Sequence, residues 1–307
     1  MRFKSFTCGV VMASLACFGT VVAITQDQEE DVRGAFLTTR PKPVDKTAKG
    51  NPAPRPTRRR PKLQPQPQPQ PLKPVDGGVS NGTTPVITAK DLPAKASPQK
   101  LGVGLTLLSR DSLGFAVRTD PTRTFSKGDR VRVLLETNND GYLYIFNTTN
   151  GGKPVMIYPN KELDEGGNYL RAHVPFEIPA STAGEERLRW LVFDEVAGNE
   201  RLYFVFTREP LPGIPLEDEL VAFCSDAKNT CPIQPNAELW AKLEKEIDVP
   251  LRTTTPSSFG KPQTAPEREA VERGIGLSKQ EPEPSLIMMS ASAKSGTLVT
   301  VLDLVHK

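Results

Sequence analysis

The chain has 307 residues, a formal net charge of +3 and 37% hydrophobic residues, and its 30 prolines are about twice the ordinary frequency. That balance excludes a chain that is core throughout and leaves room for one domain of ordinary size. The charge is uneven: between Arg33 and Lys100 fourteen Lys/Arg stand against three acids, Asp45, Asp76 and Asp91, so the remainder is net acidic.

Residues 1–23, MRFKSFTCGVVMASLACFGTVVA, place Arg2 and Lys4 before an uncharged apolar run that ends in Val21-Val22-Ala23. This is the form of a secretory signal with Ala23 as the last residue removed, and it predicts a periplasmic or extracellular protein. The apolar run is short for a spanning helix. An uncleaved anchor and lipidation at Cys17 are the alternatives; Leu15-Ala16-Cys17 looks like part of a lipobox, although Ser14 stands where that motif wants Leu.

Residues 24–100 read as a disordered, basic, proline-rich linker. Eleven prolines fall between Pro41 and Pro74, including a Gln-Pro alternation from Gln64 to Pro71. Proline fixes φ and removes the amide donor, so the tract favours extended polyproline II over helix or sheet. Arg55, Arg58, Arg59, Arg60 and Lys62 repel one another and extend it further, and together they form a candidate tether for anionic lipid or a cell-wall polymer. No aromatic residue interleaves with them to stack bases, so nucleic acid is not an expected partner.

From Leu101 the texture changes to short alternating apolar runs. Strands are expected at 101–109, 115–118, 130–137, 142–147, 155–158, 169–174, 188–194 and 202–207. The stretch from Arg130 to Pro159 reads as a three-stranded meander broken by Asn138-Asn139-Asp140-Gly141 and by residues 147–152. Many short strands with no crossover helices predict a mainly β, antiparallel sandwich, immunoglobulin-like or related, over residues 101–249. Two of its strands, 142–146 and 202–206, are apolar on both faces and need a cover. Helices near 216–224 and 237–247, the second capped by Asn236 and ended by Pro250, can supply it. If they do not, Tyr142, Tyr144 and Phe146 form an open interaction face. Residues 250–285 read as a flexible segment with one short helix near 266–273. Residues 286–307 read as two strands around the turn at 293–296, returning to the sheet.

Few residues suggest chemistry. Cys224 and Cys231, the two cysteines left after signal removal, are expected to form a disulfide in an exported chain, because zinc would want histidines near them and the chain has only His173 and His306. Glu136 to Gly141 imitates the start of a calcium loop, but the twelfth position is Asn147 where a bidentate Glu is required. No G-x-S-x-G, Walker loop or H-E-x-x-H occurs, and no cofactor is expected.

The runs Gly128-Asp129-Arg130-Val131-Arg132, Asp140-Gly141-Tyr142-Leu143-Tyr144-Ile145-Phe146-Asn147 and Met156-Ile157-Tyr158-Pro159 resemble the family known as domain of unknown function 4384. In that family a "G-D-x-hydrophobic" strand opening precedes a "G-Y-x-Y" strand and a later aromatic-Pro. The resemblance covers 101–208 and implies a β-rich domain of bacterial, often exported or envelope-linked proteins, with no established catalytic residues. The expectation is therefore a non-enzymatic, envelope-associated interaction or scaffold module with an unidentified protein partner. The alternative is an envelope hydrolase or small-ligand binder with a cleft near His173, Asp194 and Glu195.

Overall fold

The computed structural model describes residues 26–42, 99–162, 167–247 and 250–307. The signal-like segment with Cys17, and Arg55, Arg58, Arg59, Arg60 and Lys62, lie outside the described residues. In chain order the elements are α1 (Gln26–Leu37), β1 (Gly102–Arg110), β2 (Ala116–Arg118), β3 (Thr124–Phe125), β4 (Arg130–Thr137), β5 (Gly141–Thr149), β6 (Val155–Tyr158), β7 (Tyr169–Leu170), β8 (Phe176–Ile178), β9 (Leu191–Val192) and β10 (Gly198–Thr207). There follow α2 (Glu217–Ser225), α3 (Ala237–Glu246), β11 (Leu251–Thr254), α4 (Ala265–Arg273), β12 (Leu286–Met289) and β13 (Thr297–His306).

The strands form two sheets. One has seven strands, ordered β11-β12-β1-β4-β8, with β2 also on β1 and β9 also on β4. The other has six, ordered β3-β13-β10-β5-β6, with β7 also on β5. Pairing is antiparallel except for the short β3 against β13. Strand alternation sends Leu105, Val133, Leu135 and Phe176 of the first sheet and Ile145, Phe204, Phe206 and Leu302 of the second into one shared core, which makes the expected β-sandwich.

The second sheet is covered on its outer face by α2 and α3. Asn236 caps α3 through Leu239 N–H at 2.8 Å. Leu239 and Leu243 then pack with Leu216 and Leu220 onto Tyr144, Phe146, Tyr203 and Val205, and Trp240 meets Phe146 and Tyr203 edge-on. The candidate face of Tyr142, Tyr144 and Phe146 is thus 6%, 0% and 0% exposed, and is core rather than a docking surface. Apolar residues on both faces of a strand are what a doubly covered sheet requires. Gly141, the glycine of the resembling motif, lies so close to β10 that a Cβ there would stand 2.5 Å from the Thr207 carbonyl oxygen.

Cys224 and Cys231 are disulfide-bonded, with Cα atoms 5.3 Å apart, and join the end of α2 to a loop that Met156 N–H fixes by donating to the Ile233 carbonyl at 2.8 Å. For so short a loop the entropy model gives about 2.5 kcal/mol. Cys224→Ser with Cys231→Ser should therefore lower the unfolding free energy by about that amount in urea titration, with the sheet signal in circular dichroism unchanged.

Four expectations are corrected. The Arg130–Pro159 stretch is not a meander: β4 lies in one sheet and β5 with β6 in the other, so Asn138 to Asp140 is a crossing between sheets. Its polar side chains serve that crossing, Asn138 Oδ1 accepting from Gly102 N–H at 2.6 Å and Asp140 Oδ1 from Ala172 N–H at 2.8 Å. For the same reason β12 and β13 do not form a hairpin but return to different sheets. Residues 250–285 are built into the fold, with β11 on β12 and α4 held by a full capping box between Thr264 and Glu267. Finally, the linker expected over 24–100 does not include 26–42, where α1 buries Val32 and Phe36 against Ile287 and Met289.

Candidate functional site

Among the outward positions of β4 and β8 three buried ones are charged, Arg132, Glu136 and Glu177, beside the apolar Leu134. All three are buried, at 4%, 3% and 4% exposure: Arg40 reaches Glu136, the excursion from β11 to β12 reaches Glu177 through Gln263, and Trp190 with the Arg189 carbonyl lies against Arg132. Buried charges are stable only when paired and hydrogen-bonded, and the covering segments bring the partners. Arg118 pairs with Glu267 of α4, whose other oxygen accepts from Thr264 N–H and hydroxyl at 2.9 and 2.8 Å. Gln263 donates to Glu177 at 2.6 Å. Arg132 is 3.5 Å from the same carboxylate, lies 4.0 Å over the Trp190 ring and donates to the Arg189 carbonyl. Burial lowers the Arg132 pKa from its ordinary value and Glu177 opposes that shift. Gly104 lets the excursion cross closely, since a Cβ there would meet Pro284 Cγ at 2.3 Å.

At the Thr137 end of β4 this network closes on the N-terminal segment. Arg40 donates to both oxygens of Glu136, at 2.8 and 2.6 Å, and to the carbonyls of Ser278, Glu281 and Pro282 at 3.2, 2.9 and 3.1 Å. Its guanidinium is thereby fully engaged. His173 is 2.7 Å from Glu136 through Nδ1 and 2.7 Å from the Thr39 hydroxyl through Nε2, with Phe36 edge-on to its ring. Its backbone is left-handed, φ 58°, and is held there by His173 N–H donating to Thr137 O at 2.6 Å and by Leu277 N–H donating to His173 O at 2.8 Å. Tertiary contacts thus replace the strand expected over 169–174, of which only β7 forms.

His173, Asp194 and Glu195 are not brought together. His173 is bonded to the last residue of β4, whereas Phe193 N–H donates to Asp129 just before its first. The eight residues between place the two groups on the order of 25 Å apart. Glu195 is exposed and paired with Lys127 at 2.6 Å. Asp194 instead borders a cleft of about 220 Å³ at the open end of the sandwich, with Asn147, Glu200 and His306. Sequence reasoning missed these three, although the alternation Leu298, Thr300, Leu302, Leu304, His306 already puts the last histidine on the core face.

Among the described residues no group of three or more His, Cys, Asp or Glu is arranged to hold a metal ion, and no helix is long and apolar enough to cross a membrane. Residues 124–210, from β3 to just past β10, match the family model described as Domain of unknown function (DUF4384). No curated protein and no solved structure matches the chain.

Proposed function

We propose that this chain, whose residues 124–210 are a DUF4384 domain, is a non-enzymatic, exported interaction module that its basic segment tethers to a polyanionic envelope surface. The observation that supports this reading is the way the segment is held. The chain leaves the domain after Arg40, locked to Glu136, and returns at Lys100, whose carbonyl accepts from Asn138 and Asn139 at 3.0 and 3.3 Å. Phe36 and Asn138 both border Gly102, so departure and return share one corner of the sandwich. Residues 43–98, between these two points, carry ten Lys/Arg against three Asp. Their seven net positive charges attract lipid headgroups or an anionic wall polymer through a term that salt screens.

The test is co-sedimentation of the mature protein with purified sacculi and with anionic vesicles across a salt series. The variant replaces Arg55, Arg58, Arg59, Arg60 and Lys62 by Gln, which keeps the chain length and leaves Arg40 on Glu136. The expected result is binding at low salt that falls steeply toward about 0.5 M and is lost at all salts in the variant. Equal binding of both proteins would overturn the tether.

A further inference from the structure

We infer that the open end of the sandwich is a binding site for a small organic cation with an apolar body, of the arylalkylamine class. Core-facing positions run along β5 as Leu143, Ile145, Asn147; along β10 as Phe206, Phe204, Leu202, Glu200; and along β13 as Leu302, Leu304, His306. In each strand the apolar stripe turns polar at the same end. Between these polar residues and the walls formed by Val131, Ile157, Leu191 and Phe193 lies the cleft of about 220 Å³. A dry cavity of about 150 Å³ holds benzene, so this one has room for an aromatic ring and a short ammonium arm.

Two buried polar atoms at the cleft have no partner among the described residues: Asn147 Oδ1 and His306 Nδ1. Asn147 spends its amide on Glu200, donating to Oε2 at 2.7 Å, and so leaves the carbonyl oxygen as an open acceptor. His306, 4% exposed, lies against the Phe193 ring at 5.1 Å, its Nε2 3.7 Å from Glu200 Oε1. A buried acceptor left unmade costs free energy that an N–H donor from a ligand recovers. The lining carries Asp194 and Glu200 and no Lys or Arg, which selects a cation over an anion. An apolar floor, the open Asn147 oxygen and two carboxylates are the features that recognise a hydrophobic amine.

The test is titration of the full mature chain with phenethylamine, monitored by amide NMR, with phenylacetate and 2-phenylethanol as matched anionic and neutral probes. The expected result is saturable shifts at Asn147, Glu200, Leu202 and His306, absent with phenylacetate and at least about tenfold weaker affinity in Glu200→Gln. Leu191→Trp, at a half-buried wall position, should fill the cleft and abolish the shifts. It decides the matter if Glu200→Gln does not fold. The inference is overturned by no saturable response up to about 10 mM amine, by equal affinity for phenylacetate, or by unchanged affinity in the folded variants. It is also overturned if dilution without amine moves the same signals, which would mean that a second copy occupies the cleft.

Discussion

Replacing Arg40 by Met should lower the unfolding free energy by about 3–5 kcal/mol and make α1 accessible to protease. The Arg40 side chain is 1% exposed and Glu136 3%, so the pair is dry, and each member has further partners on the same spot. Removing the guanidinium leaves the Glu136 carboxylate buried with His173 alone, and leaves the Ser278, Glu281 and Pro282 carbonyls short of a donor. The cost is therefore dominated by an uncompensated charge rather than by a lost contact. That assignment is itself testable, because removing both charges, Arg40→Met with Glu136→Met, should cost clearly less than Arg40→Met alone. Urea titration of the three variants reads the difference. If the single and double variants are equally destabilised, the pair is an incidental contact and α1 is held by Val32 and Phe36 alone.

This latch shows which parts of the fold are legible in the sequence. The alternation of Val131, Val133 and Leu135, and the run Val155 to Tyr158, set β4 and β6 at the expected bounds, because a half-buried strand is written in its own residues. The Asn236 cap and the spacing of Leu239, Leu243 and Ile247 place α3 in the same way. In α1, QDQEEDVRGAFL, only the last turns are apolar, and what decides its docking is an arginine whose partner lies 96 positions away. No local pattern encodes that separation. The sheet assignments fail for a related reason. A turn rich in Asn, Asp and Gly ends a strand, but whether the next strand pairs beside it or crosses to the opposite sheet depends on partners far along the chain, here β1 for β4 and β10 for β5. A single cleft joining His173 to Asp194 is ruled out by the same kind of distant geometry, since β4 holds the two at opposite ends. The polar stripe of Asn147, Glu200 and His306 needs β10 to begin at Gly198 rather than Leu202, so that Glu200 joins the register.

Residues 124–210 expressed alone should remain unfolded, although they are the span that the family model matches. In the seven-stranded sheet β1 lies between β12 and β4 and pairs with β4 over seven residues, from Val103 with Thr137 to Ser109 with Val131. In the six-stranded sheet β13 lies between β3 and β10 and pairs with all ten residues of β10. The fragment therefore has two long strands, β4 and β10, each with one edge stripped of its partner. It also lacks the packing that β1 supplies through Val103, Leu105 and Leu107, and the Leu298, Leu302 and Leu304 wall from β13. The outer faces fare no better, because Arg132 and Glu177 lose Gln263 and the excursion, and Tyr144 and Phe146 lose α3. Losing several buried side chains at about 2–5 kcal/mol each exceeds the roughly 5–15 kcal/mol that a domain of this kind commands. Residues 99–307 should fold, and residues 26–307 should fold with greater stability by the contribution of the latch. Amide NMR dispersion of the three proteins checks the series. A well-dispersed spectrum from 124–210 would show that the matched span is an autonomous unit and that β1 and β13 are additions to it.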